Sequence, residues 1–191
     1  MKIGLFFGSF NPVHNGHLII ANYICQTSEL QKVWLVVSPQ SPFKQKQNML
    51  REYDRLHLIN LAIEDNKFLK ASNAEFKLPQ PNYTIDTLTY LQEKYPQHEF
   101  SLIMGSDNLE GLHKWKNYEQ ILARHHLYIY PRSGSKKNFL EPHPHIHHLD
   151  FPLLDISATF IRQKIKEGLS MQYFLPEAVW KYIDENRFYK N

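Results

Sequence analysis

The chain is 191 residues long, 42% hydrophobic and 21% charged, with a formal charge of +3 and a mean hydropathy of −0.48. These values suit one well-buried soluble core and exclude disordered and membrane-embedded classes, while Cys25, the single cysteine, excludes an intrachain disulfide and fits a reducing, cytoplasmic setting. Lysines and arginines are scattered rather than gathered in blocks, so no nucleic-acid surface is expected, and a small positive excess suits polyanionic small substrates.

The first apolar run, 2–7, is too short for a signal-peptide core and reads as a strand. A helix follows over 16–26, with Leu18, Ala21 and Cys25 in line, which places the thiol in the core. Next come a strand at 33–37, a polar loop at 39–48 and a helix on which Leu56, Ile59 and Ile63 fall at i, i+3 and i+7. A third helix covers 84–95, strands lie at 100–104 and 127–130, and a second loop runs over 133–144. The last helices span 156–168, stopped by Gly168, and 176–186, opened by Pro176. Unalternated strands separated by helices predict an α/β fold, a Rossmann-like, doubly wound parallel sheet with helices on both faces. A single domain over 1–191 is expected, with a helical C-terminal portion from about 156. In such sheets ligands gather beyond the carboxyl ends of the strands.

The most informative stretch continues the first strand: Gly8-Ser9-Phe10-Asn11-Pro12-Val13-His14-Asn15-Gly16-His17. Gly8 lets the backbone turn and approach a ligand, and the amides of Ser9 and Phe10 offer donors to an anion at a helix start. His14 and His17, three apart, can face one site, where an imidazole can donate to phosphate oxygens whose charge grows during transfer. Two histidines at a helix start are often mere caps, but strand, glycine turn and histidine pair occur together where a parallel sheet binds ligands. Zinc is a poor competitor without further ligands nearby, and no Gly-Lys-Ser/Thr follows to make a phosphate loop of the Walker type.

Near the other end lies Asp155-Ile156-Ser157-Ala158-Thr159-Phe160-Ile161-Arg162. Ser157 is a natural N-cap, and Thr159 and Arg162 share a face one turn in, so helix dipole, hydroxyls and guanidinium can meet one polyphosphate. Gly105-Ser106-Asp107 directly follows a strand, and Arg132 follows another and can meet a phosphate.

The first stretch resembles the G-G-[ST]-F-D-P-x-H-x-G-H signature of the nicotinate-nucleotide adenylyltransferases, of the HxGH nucleotidyltransferase superfamily, with Phe7 for its first glycine and Asn11 for its Asp. The second resembles that family's I-S-S-T-x-I-R, and Gly105 and Asp107 its G-x-D in the nucleotide-binding region. Leu112-His113-Lys114-Trp115 resembles L-x-x-W, whose indole lies against the pyridine ring. Tyr83-Thr84-Ile85-Asp86-Thr87-Leu88 resembles Y-T-x-D-T-L at the mononucleotide site, and Lys44 the lysine ending a P-H-K loop.

The resemblance implies adenylyl transfer from ATP to nicotinate mononucleotide, giving nicotinate adenine dinucleotide and pyrophosphate, in NAD biosynthesis. It places Gly8, Ser9, Phe10, His14, His17, Gly105, Asp107, Ser157, Thr159 and Arg162 on ATP, His14 and His17 being catalytic. Lys44, Tyr83, Thr84, Trp115 and Arg132 fall to the acceptor. Mg²⁺ is expected with ATP, and no fixed protein metal ligand. Alternatives are a sister enzyme with another acceptor such as phosphopantetheine, a class I aminoacyl-tRNA synthetase fragment, and a non-catalytic nucleotide-binding sensor. The sequence leaves open the oligomeric state, a homo-oligomer included, and the role of the cluster His143, His145, His147 and His148, which it places in a loop apart from the other motifs.

Overall fold

The structure is a computed structural model that describes residues 1–39, 49–134 and 142–190. Its centre is a six-stranded sheet in the order β3-β2-β1-β4-β5-β6. Every pairing is parallel. The four inner strands are β1 (Lys2–Gly8), β2 (Lys32–Val37), β4 (Glu99–Gly105) and β5 (Leu127–Tyr130), and the edges are β3 (Leu69–Ser72) and β6 (Ile146–His148). Parallel strands need crossovers, supplied here by α1 (Asn15–Thr27) from β1 to β2, α2 (Glu52–Ala62) from β2 to β3 and α3 (Thr84–Lys94) before β4.

Successive residues of each inner strand serve opposite cores, as strand geometry requires. Leu35 and Val37 face the layer holding Ile24 of α1 and Leu58 of α2, while Trp34 and Val36 face Leu88 and Leu91 of α3. The first layer also takes Ile161 and Ile165 of α6 (Ala158–Lys166) and Val179 and Ile183 of α7 (Glu177–Glu185). The second takes Leu109 of α4 (Ser106–Glu110) and Ile121 of α5 (Tyr118–Arg124). Each fully buried Leu, Ile or Val of this kind contributes roughly 1.5–3 kcal/mol.

The doubly wound parallel sheet is the architecture expected, and the four apolar runs are the four inner strands. Both edge strands and the short helices α4 and α5 are additions. Two of the clustered histidines, His147 and His148, also change place: Ile146–His148 is an edge strand against β5, and His147 Nε2 lies 2.8 Å from His126 Nδ1. Cys25 is only partly buried, and burial pushes its thiol up to about 11. Among the described residues no helix is long and apolar enough to cross a membrane.

Candidate active site

The chain leaves β1 toward β2 on one side, while β4 flanks β1 on the other, so their connections diverge and open a crevice beyond their carboxyl ends. Into it runs the turn after β1. Its left-handed residue is Phe10, with φ of 43°, whereas Gly8 has no positive φ. The freedom expected of Gly8 is therefore needed at Phe10 instead. Gly8 is small for another reason: a Cβ there would come within 3.0 Å of the Phe10 ring, which lies on it. That ring is 1% exposed, edge-on to Phe6 and to His17 at centroid distances of 5.9 and 4.9 Å. A left-handed non-glycine residue costs roughly 1–2 kcal/mol, and burying a phenyl ring offsets it by roughly 2–3 kcal/mol.

His14 caps α1 in extended conformation, and its ring stacks on that of His17 at 3.6 Å with 26° between planes. The backbone N–H of His14 donates to His17 Nδ1 at 3.3 Å, which fixes the neutral tautomer and leaves Nε2–H as the His17 donor. Burial, with Arg132 nearby, pushes His14 down to about 4. Burial, then His14 and Arg132, holds His17 well below the ordinary imidazole value. Near pH 7 both rings are uncharged, suited to hydrogen-bond donation rather than to acting as resident cations.

Two hubs hold this turn, Arg55 outside every sequence motif and Asn11 within the first. Arg55 of α2 is fully buried and donates to four carbonyls, those of Leu50 at 3.0 Å, Ser9 at 2.5 Å, Ser38 at 2.8 Å and Pro39 at 3.1 Å. Its fork thereby ties the loops after β1 and β2 together. The available signal was position: Arg55, Leu58 and Ile59 fall at i, i+3 and i+4 on the buried helical face. Asn11 is the second hub, 4% exposed, with Oδ1 accepting from Leu50 N at 3.1 Å and from the Tyr189 hydroxyl at 2.7 Å.

The α6 motif arrives at the same place. Ser157 is the N-cap, its Oγ accepting from Phe160 N at 3.2 Å. Arg162 donates from Nη1 to the Asn11 carbonyl at 2.7 Å and from Nη2 to Thr159 Oγ1 at 3.3 Å, so motifs 151 residues apart are joined by one guanidinium.

Across the crevice, Gly105 ends β4, and a Cβ there would overlap the Asp107 carboxylate and the Arg132 side chain. Arg132 N donates to Ser106 Oγ at 2.9 Å, and its Nε lies 4.0 Å from Asp107 Oδ1. The structure thus sets Arg132 beside Asp107 and near the histidines. It does not line the cavity that gathers the other expected acceptor residues.

That cavity, of about 470 Å³, is lined by Gly8, Ser9 and Ser38 together with Tyr83, Thr84 and Trp115. Its size lies within the range of small-molecule sites. Tyr83 is the N-cap residue of α3 and Thr84 its first helical residue. Lys116 donates to both carboxylate oxygens of Asp86 at 2.9 and 2.8 Å, with Nζ 4.9 Å over the Tyr83 ring. Glu75 also lines it, 3% exposed; burial raises its pKa, and Oε1 accepts from Thr87 Oγ1 at 2.9 Å. No sequence motif marks Glu75, whose burial arises from tertiary packing. Lys44 lies outside the described residues. A larger cavity, about 690 Å³, opens beside Lys2 and Glu99 at the beginnings of β1 and β4, far from this crevice.

Comparison with known proteins agrees with this geometry. The cytidylyltransferase-like family model matches residues 5–164. A probable nicotinate-nucleotide adenylyltransferase of Flavobacterium psychrophilum is 56% identical over 100% of both chains. Its counterpart in Bacteroides fragilis is 43% identical, over 95% of this chain and 90% of the relative. In fold, the chain is similar to the Plasmodium falciparum nicotinic acid mononucleotide adenylyltransferase complexed with NaAD, with a TM-score of 0.81 at 18% identity, covering 98% of this chain and 97% of that one. A putative nicotinate-nucleotide adenylyltransferase from Vibrio parahaemolyticus gives 0.74 at 21% identity, covering 100% and 96%. The chain belongs to the cytidylyltransferase-like family and, within it, to the nicotinate-nucleotide adenylyltransferases.

Proposed function

We propose that this crevice joins the adenylyl group of ATP to nicotinate mononucleotide, forming nicotinate adenine dinucleotide and pyrophosphate in NAD biosynthesis, within one nucleotidyltransferase domain spanning the chain. The observation that carries the reading is the junction of two sites at one turn: the cavity of Tyr83, Thr84 and Trp115 opens onto Gly8 and Ser9, and the α6 motif reaches Asn11 of the same turn through Arg162.

The attacking group is a phosphate oxygen already ionised at neutral pH, so no general base is needed. Catalysis reduces to holding two anions in line and meeting the charge that grows around the α-phosphorus. His17 supplies Nε2–H for that charge, with His14 stacked behind it. Ser9 and Phe10 offer backbone amides, Ser157, Thr159 and Arg162 serve the leaving phosphates, and Gly105 and Asp107 line the nucleotide side, where Arg132 also falls. Trp115, Tyr83 and Thr84 hold the pyridine mononucleotide. Among the described residues no three His, Cys, Asp or Glu side chains converge to hold a metal ion. The fit is to a divalent ion carried on ATP, Mg²⁺ in our reading, which screens phosphate charge and keeps most of its own waters. Both substrates are small soluble nucleotides, consistent with action in the cytoplasm.

The test is kcat/KM for nicotinate and nicotinamide mononucleotides. The two differ at one ring substituent, and donors that satisfy a carboxylate face the amide NH₂ donor to donor, at a cost of about 1–3 kcal/mol. We expect a clear preference for the nicotinate form, with Trp115→Ala raising its KM while leaving that of ATP nearly unchanged. Equal values for the two forms would remove the acceptor assignment, and absence of pyrophosphate release with either would remove the reaction.

A further inference from the structure

Thr159, Arg162, Gln163 and Lys166 fall at i, i+3, i+4 and i+7, one face of α6. Beyond α7 the chain reverses through two left-handed residues, Arg187 with φ of 53° and Tyr189 with φ of 64°. Such backbone persists at non-glycine residues only where surrounding contacts over-determine it, and here Tyr189 is fastened to Asn11 by its hydroxyl. The reversal lays Arg187 opposite the α6 face and closes a cleft of about 410 Å³ between them. Three cations, Arg162, Lys166 and Arg187, line it. The nearest acid, Glu167 at the end of α6, does not line the cleft, and both its oxygens are taken, by Gln163 at 3.1 Å and by Lys164 at 2.7 Å. Among the described residues, Lys166 and Arg187 form no ion pair. A cleft with this excess of positive charge, opening beside a turn that holds the reacting phosphates, is matched to a polyphosphate.

We infer that Lys166 and Arg187 extend the Arg162 contact into a cleft that receives the terminal phosphates of ATP and holds pyrophosphate as it leaves. The inference rests on the adenylyl-transfer reading above. In that step the acceptor's phosphate oxygen bonds to the α-phosphorus, the bond from that phosphorus to the α,β-bridging oxygen breaks, and the electron pair departs on pyrophosphate. The leaving group gains charge at the place where the three cations gather.

The experiment uses inorganic tripolyphosphate in calorimetric titrations of the full chain, so that binding is read without turnover. Lys166 and Arg187 are exposed, and the double variant Lys166→Gln/Arg187→Gln is expected to keep its thermal midpoint while binding tripolyphosphate about tenfold or more weakly, the usual scale for losing two charge-assisted contacts. Lys164→Gln, on the same helix but outside the cleft, should bind as wild type does. In steady state the double variant should raise the KM for ATP and weaken product inhibition by pyrophosphate in parallel, with the acceptor's KM unchanged. Unchanged tripolyphosphate affinity overturns the cleft. Lost affinity with an unchanged KM for ATP overturns its assignment to ATP. A wild-type protein that binds tripolyphosphate here yet makes no dinucleotide overturns the adenylyl-transfer reading itself, and with it the leaving-group role.

Discussion

Tyr189 donates its hydroxyl to Oδ1 of Asn11 at 2.7 Å, a contact between residues 178 apart in the chain. Removing only that hydroxyl by Tyr189→Phe leaves Asn11 Oδ1 still accepting from Leu50 N. The expected cost is about 1 kcal/mol, whereas Asn11→Ala strands both donors and should cost about 2–3 kcal/mol. Urea unfolding midpoints with an unchanged m-value give the comparison. Equal losses for the two variants would mean that Asn11 does not act as the shared acceptor.

The His14 imidazole titrates at about 4 in the folded chain, against an ordinary value of 6.5. Between those values the unfolded chain binds the proton and the folded chain does not, so this residue's stabilisation is whole above about pH 6.5 and falls as pH drops toward 4. The slope is roughly 1.4 kcal/mol per pH unit for one such group, and His17 acts in the same direction. Glu75, raised by burial, opposes it: its share is lost as pH rises from its ordinary value toward the raised one. The difference between wild type and His14→Asn isolates the histidine. Unfolding free energies at several pH values should show a shallower acid fall in the variant, and parallel curves would contradict a buried neutral His14.

Losing the His17 imidazole should cost turnover far more than folding. For His17→Ala the expected drop in kcat is about two to three powers of ten, the usual loss for one transition-state donor. Pyrophosphate release measured at saturating substrates decides it, and activity within a factor of two of wild type would take His17 out of the chemistry.

Arg55→Met keeps an apolar stem in the pocket but strands four carbonyls at once. Each orphaned buried acceptor costs about 1–3 kcal/mol, with partial relief from relaxation and water, so a loss of roughly 3–5 kcal/mol is expected. Arg55→Lys supplies the charge without the planar fork and should recover only part of it. Full recovery by lysine in thermal unfolding would show that charge, not geometry, is what the site requires.

Strands buried on both faces write themselves as uninterrupted apolar runs, which is why β1, β2, β4 and β5 are legible in the sequence. Edge strands do not: Leu69–Ser72 is Leu-Lys-Ala-Ser and Ile146–His148 is Ile-His-His, each with a single neighbour and little apolar surface to declare it. The five-residue α4 is likewise too short for a period to show. At the site, motif residues were legible where chemistry constrains type and spacing, and the structure sets Gly8, Ser9, Tyr83, Thr84 and Trp115 on one cavity. What holds them was not legible. Arg55, Asn11 and Tyr189 act through contacts between distant segments, and the left-handed turn residue proved to be Phe10 because its ring, not Gly8's freedom, shapes the loop. The place of Arg132 is hidden for a similar reason, since only the pairing of β4 with β5 carries it to Asp107.

The turn after β1 is fastened by Arg162, by Tyr189 and by the carbonyl of Phe174, which accepts from Asn15 N at 2.9 Å. All three come from α6 and beyond, and leave the ribosome long after the histidines do. Arg55 and Leu50 hold the turn from nearby in the chain, but the fastenings by Arg162 and Tyr189 close over 151 and 178 residues, and loops closed over such separations are the slowest and entropically most costly to form. Shortening from the C-terminus should in consequence extinguish nucleotide binding well before it dissolves the sheet.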